Sequence, residues 1–244
     1  MPLLSRSERR WWPYAPLLLL QAVWVRLWTR RLPASRAQSG ITGRGTHQRT
    51  VIGIGDSIVA GVGVRQADQA LVAQLAATLA GRLRSRVQWQ TIGLPGADSL
   101  ELLEIIEEAA PRLDADLVLI SCGVNDAIRG CEPAQFRERL QRAVDRIAST
   151  QRHPAIVFAG IPPLECFPAL PWPLSRLLGE RARRLRDQAI ALTGYRGLRV
   201  VIFPDRLAAA DFARDGFHPG PAACANWAGW IADGLTLQIE RWGS

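Results

Sequence analysis

The sequence of 244 residues contains no lysine; its 30 strongly basic residues are all arginine. A lysine Schiff base, a Walker-type phosphate lysine and a kinase lysine are thereby excluded, because each needs the ε-amine itself. Histidine is scarce, at three: His47, His153 and His218. The four cysteines, Cys122, Cys131, Cys166 and Cys224, form no C-x-x-C pair and have no histidine at metal-ligand spacing. They read as buried or incidental thiols, and nothing calls for a metal, a cofactor or an oxidised compartment. The sequence also lacks a G-x-S-x-G elbow, an internal repeat and any long low-complexity block.

Charge is missing from most of the chain. The formal net charge is +8, and residues 1–50, with nine arginines and only Glu8 against them, carry all of it. The remaining residues balance, with 21 basic and 21 acidic side chains. A basic arm points to acidic lipid headgroups or to nucleic acid, and the apolar run within it decides for lipid. That run is "WWPYAPLLLLQAVWV", Trp11–Val25, between Arg10 and Arg26. A bilayer span needs roughly 20 residues, a length approached only if Leu27 and Trp28 join while Arg26 snorkels. A helix is expected from about Pro16, with Trp11, Trp12, Tyr14, Trp24 and Trp28 at headgroup level. Three readings stand: a membrane anchor or in-plane helix; a signal peptide, for which "LPASRAQ" is a poor cleavage site; or an apolar arm packed on the body. The heavier arginine content after the run leans towards a cytoplasmic body. We expect an arm over residues 1–32, a Gly/Ser/Thr/Arg linker over 33–49 and a single domain over 50–244. The expected partner surface is a membrane, met through residues 11–31, and not nucleic acid.

The body alternates between apolar strands and amphipathic helices. Strands are predicted at Thr50–Ile54, Val87–Ile92, Asp116–Ser121, Ala155–Ala159 and Leu198–Phe203. Helices are predicted at Ala67–Leu83, Ser99–Arg112 with Asp98 as N-cap, Pro133–Gln151, Ser175–Thr193 and Pro221–Arg241. Helices of this length between apolar strands imply right-handed crossovers and a parallel sheet covered on both faces. Ligands in such folds sit beyond the carboxyl ends of the strands. Asp56 and Ser57, the turn Gly93–Asp98, Asn125, Asp126 and His218 all fall on that edge.

The stretch "VIGIGDSIVAGVG" over residues 51–63 raises three alternatives: a phosphate loop, a capping turn or a nucleophile. Ile58 stands where a dinucleotide loop needs its third glycine, and Asp56 would repel a pyrophosphate. A nucleophilic Ser57 needs a base. His47 lies in the linker and His153 at the amino edge, which leaves His218. Asp215, three residues earlier in "ARDGFHPGP", can orient that imidazole while the other nitrogen faces the serine. Oxyanion donors are available from the Asn125 amide in "CGVND" and from backbone N–H groups of "GLPGAD" around Gly96. Taken singly, each of these has an ordinary turn or cap reading; it is their convergence on one edge that points to acyl transfer. The Pro-rich segment "GIPPLECFPALPWPL", residues 160–174, is either a rigid crossover or an apolar wall for an acyl chain, with Phe167, Leu170 and Trp172 as its apolar members.

On these residues the chain resembles the GDSL-type, or SGNH, hydrolases, and looks most like their small bacterial esterase and lysophospholipase-like members. Gly55-Asp56-Ser57-Ile58 matches the first block, with Ile for Leu. Gly123-Val124-Asn125-Asp126 matches G-x-N-D, and Asp215-Gly216-Phe217-His218 matches D-x-x-H, in family order over about residues 50–240. The second block is assigned to Gly96 rather than Gly93, although Thr91 stands where the family often has Asn. The resemblance implies a flavodoxin-like three-layer α/β/α fold on a five-stranded parallel sheet. It implies serine ester hydrolysis with Ser57 as nucleophile, His218 as base and Asp215 as its orienting partner. The implied oxyanion hole is Ser57 N–H, Gly96 N–H and the Asn125 amide, with Asp56 and Asp126 structural. The expected substrate is a small ester, lipid-like or of medium acyl length. Sugar-ester deacetylation, acyl transfer from the same site and a non-catalytic tethered scaffold are the alternatives. The expected location is the bacterial inner membrane, with a periplasmic, secreted or cytoplasmic protein as alternative.

Overall fold

Strands that are apolar on both faces need cover on both faces, and the computed structural model, described at Leu4 and at residues 6–204 and 206–235, supplies it. The strands are β1 (Ser39–Thr42), β2 (Gln48–Gly55), β3 (Arg86–Gly93), β4 (Leu117–Ser121), β5 (Ala155–Phe158) and β6 (Arg199–Val200). They form one sheet in the order β1-β3-β2-β4-β5-β6. The helices are α1 (Ala15–Trp28), α2 (Leu71–Leu83), α3 (Ser99–Ala109), α4 (Val124–Arg129), α5 (Pro133–Ala148), α6 (Leu174–Ile190) and α7 (Pro221–Gly234).

Side chains alternate across the parallel strands. Val51, Leu117, Leu119 and Val157 face α2 and α7, where Leu75, Leu79, Trp227 and Ile231 meet them. Ile52, Ile54, Val118, Ile120, Ile156 and Phe158 face the other way, onto Leu102, Ile106, Phe136, Leu140 and Leu185 of α3, α5 and α6. Burying each such side chain is worth about 1.5–3 kcal/mol. The chain runs from β2 through α2 to β3 on one side, then through α3 back across to β4 on the other. The crevice between β2 and β4 is therefore a topological switch point, the place where open α/β sheets bind ligands.

Asp98 caps α3 as expected, through a reciprocal capping box with Glu101. Three expectations are corrected. Within the segment taken as linker, β1 pairs antiparallel with β3, Ser39 opposite Gln90 and Thr42 opposite Val87, so the sheet has six strands. It covers the outer N–H and C=O groups of β3, which would otherwise lie bare. Its four residues are too short for a periodic signal, and Gly40 is needed because a Cβ there would lie 2.8 Å from the Trp89 ring. The extra helix α4 occupies the turn after β4. The last strand is only two residues long, because its neighbour β5 ends at Phe158. The closing helix is described to Gly234, and residues 236–241 of its expected range lie outside the described residues.

The arm lies on the body. The helix α1 opens with Pro16 in its first turn, and Leu18 is fully buried in the cluster that holds α6. Gln21 Nε2 donates to the Trp172 carbonyl at 2.7 Å, and Leu174 N–H donates to Gln21 Oε1 at 3.2 Å. Upstream, Arg181 grips the buried Glu8 carboxylate with two nitrogens at 2.7 and 2.9 Å, and Trp11 Nε1 donates to Glu180 at 2.9 Å. The rest of α1 turns outward: Leu19, Leu20, Val23, Trp24, Leu27 and Trp28 are exposed. Among the described residues no helix is long and apolar enough to cross a membrane.

Candidate active site

Strand β2 ends at Gly55, where nothing larger fits: a Cβ there would lie 2.3 Å from the Ser121 carbonyl oxygen. The turn after it is braced from within. Asp56 N–H donates to Ser121 O at 3.2 Å, and Asp56 Oδ1 accepts from Ile58 N–H at 3.0 Å and from Ser121 Oγ at 3.5 Å. Burial pushes the Asp56 carboxyl up to about 7, against the pull of these donors and of His218. The result is a half-buried Ser57 at the mouth of the β2/β4 crevice.

The partner of Ser57 arrives from the loop before α7. That loop closes on itself through Ala213 N–H to His218 O at 2.7 Å and Gly216 N–H to Ala213 O at 2.9 Å. The buried Asp215 uses Oδ1 to accept the backbone N–H groups of Phe217 and His218, both at 3.0 Å. Its Oδ2 is 2.6 Å from His218 Nδ1, and His218 Nε2 is 2.9 Å from Ser57 Oγ. Burial raises the Asp215 carboxyl, but the His218 side chain and the two backbone donors outweigh it and hold the group below the ordinary carboxylate value. The imidazole is walled by Phe217, edge-on at 5.4 Å between ring centroids, and Phe217 is in turn met by Phe167 at 5.1 Å.

The expected donors sit nearby. Gly123 takes a left-handed conformation (φ +116°) and starts α4, which places Asn125 at the rim. One Asn125 amide hydrogen goes to Ala97 O at 2.9 Å, which orients the group, and the second has no acceptor among the described residues. Gly96, at φ +89°, has open space where a Cβ would stand. Neither its N–H nor that of Ser57 donates to another described residue. Gly93, by contrast, is wedged against Ala60, with only 2.5 Å from a Cβ to the Ala60 nitrogen. Asp126 is buried and receives both the N–H and the hydroxyl of Ser99 at the start of α3. Burial raises its carboxyl, and the Ser99 bonds oppose the rise. His47 is exposed, and His153 Nδ1 lies 3.0 Å from Ala148 O at the amino edge; neither lines the cavity.

Beside Ser57, Asn125 and His218 opens an apolar cavity lined by Phe167, Phe203, Phe212, Phe217, Trp227 and Trp230. Of residues 160–174, for which a rigid crossover and an apolar wall are the two alternatives, Pro162 and Phe167 line it. Leu170 is buried in the core, and Trp172 is exposed, edge-on to Tyr14 of the arm. The other aromatics were missed. Trp227 and Trp230, three apart on α7, are the only ones with a readable spacing signal; Phe203 and Phe212 come from irregular chain.

A sequence model described as the GDSL-like Lipase/Acylhydrolase family matches residues 54–225. No curated protein matches the chain. Among solved structures, TesA is similar over 78% of this chain and 99% of its own, at 20% identity and a TM-score of 0.62. A Clostridium thermocellum family 3 carbohydrate esterase covers 81% of this chain and 100% of its own, at 13% identity and a TM-score of 0.63. A lipase/acylhydrolase from Enterococcus faecalis covers 78% and 96%, at 22% identity and 0.57. These likenesses are of fold.

Proposed function

The chain belongs to the GDSL-like lipase/acylhydrolase family and is an ester hydrolase, and from that premise we propose that Ser57, His218 and Asp215 form its catalytic triad. The observation that carries this reading is the unbroken line of hydrogen bonds from Ser57 Oγ through both imidazole nitrogens to Asp215. His218 Nε2 takes the hydroxyl proton as Ser57 Oγ attacks the ester carbonyl carbon. The carbonyl oxygen, now an anion, is held by the Ser57 and Gly96 N–H groups and the free hydrogen of Asn125. Collapse expels the alcohol, which takes the proton from His218, and leaves an acyl-enzyme. Water, deprotonated by the same imidazole, then releases the acid and restores Ser57. Asp215 holds the tautomer with Nδ1 protonated and stabilises the imidazolium.

The aromatic cavity supports a lipid-like or medium-chain acyl group rather than a short polar one. The outward apolar face of α1 supports a second part of the reading, association with a membrane surface. At 14 residues the helix is about 21 Å long, short of a core about 30 Å thick, so it lies in the interface plane. The test is a series of esters of rising acyl length, with Ser57→Ala as control. Turnover should rise from acetyl to medium chains and vanish in the variant. A preference for acetylated sugars would overturn the substrate reading, and full activity of Ser57→Ala would overturn the triad.

A further inference from the structure

A groove of about 1090 Å³ runs where the arm meets the catalytic loop. Five arginines line it and, among the described residues, no Asp or Glu does: Arg30, Arg31 and Arg36 follow α1, Arg65 lies between β2 and α2, and Arg214 directly precedes Asp215. None of the five has an ion pair or hydrogen bond among the described residues. Some arginines elsewhere are paired, as Arg129 is to Asp98 and Glu101, and Arg181 to Glu8. Five unpaired like charges around one depression make a strongly positive field that an entering anion relieves.

The walls of the groove are fastened to one another and to the site. Ser35 N–H donates to Ala60 O at 2.9 Å, holding the arm segment to the Ser57 turn. Gly63, at φ +105°, lies so close to the histidine loop that a Cβ would come within 2.6 Å of Pro219 O and 3.0 Å of His218 Cβ. Phe212 lines both this groove and the catalytic cavity. The most exposed apolar residues of α1, Leu27 and Trp28, each 73% exposed, stand just before Arg30 in the chain.

We propose that the groove is a phosphate-binding site for the headgroups of an anionic phospholipid bilayer, gripped jointly by the arm and by Arg65 and Arg214 of the body. Guanidinium forks match phosphate oxygens two at a time, and the apolar edge beside them enters the acyl boundary. This extends the membrane reading of the arm to the body, and it sets the bilayer against the wall shared with the catalytic cavity.

The test is binding of the full chain to vesicles of anionic phospholipid, compared with zwitterionic phosphatidylcholine vesicles. Anionic vesicles should bind more tightly, and inorganic phosphate and added salt should both compete. The Arg65→Gln/Arg214→Gln variant keeps every arm residue and should bind anionic vesicles about tenfold more weakly, a loss of about 1.4 kcal/mol. Arg65→Lys/Arg214→Lys, with both charges kept but the forks lost, should recover only part of it, and a thermal melt verifies folding of each variant. Unchanged binding by the glutamine variant would overturn the groove and leave the arm reading standing. Failure of the unmodified chain to bind either vesicle would overturn both. Binding is read without turnover, so the triad reading stands or falls separately.

Discussion

Each polar residue at the catalytic edge is set by what surrounds it. With Asp215→Asn the geometry around His218 can persist while the tautomer and the imidazolium lose their support. We expect kcat to fall about 10²–10⁴-fold with a small change in KM, measured on one soluble ester. The lowered carboxyl of Asp215 contributes stability in full above its ordinary value of 3.8, and that contribution is lost as pH falls through the lower folded value. Asp56 has the opposite sign. Its folded value is raised to about 7, so between about 4 and 7 the folded state keeps a proton that the unfolded chain has released. Stability from this residue therefore declines as pH rises through that window. Asp56→Asn, which keeps the acceptor for Ile58 N–H, should flatten the decline and stabilise the protein most above pH 7, by up to on the order of 4 kcal/mol. Urea melts at pH 5 and pH 8 measure it; an equal difference between variant and parent at both would contradict the assignment.

Single elements deliver these residues through close contacts. Gly55→Ala forces a Cβ onto the Ser121 carbonyl and onto Val59 Cγ2 at 2.9 Å, and strand backbone on both sides resists the shift. The expected cost is about 1–3 kcal/mol of stability, with a fall in kcat/KM because Ser57 is two residues further on. Strand positions were legible because β2, β4 and β5 are apolar on both faces, and α3 because Asp98 and Glu101 spell a capping box. The strand β1 was not, since four residues with a glycine and a threonine draw their stability from the edge of β3 rather than from any pattern of their own. The cavity wall was legible only at Phe167; Phe203 and Phe212 sit in irregular chain, where no periodicity marks a direction.

Across the whole molecule the arm is part of the structure. Glu8→Ala would take from Arg181, 11% exposed in its side chain, the buried carboxylate that two of its nitrogens grip. We expect a loss of about 3–5 kcal/mol in a denaturant melt, and wild-type-like stability would show that the arm does not dock. Alternating strands and helices, an arm carrying all the net charge, and the residue types of the proposed triad follow from the sequence by itself, because they depend on local periodicity and on chemistry too scarce to assign elsewhere: one histidine at the right edge, one Asp three residues before it. Only the tertiary structure decided that Ser57 and His218, 161 residues apart, stand 2.9 Å from each other, that aromatics from distant segments meet in one cavity, and that five arginines from three segments share a groove. Such meetings depend on how the elements pack, and packing joins residues that no local pattern connects.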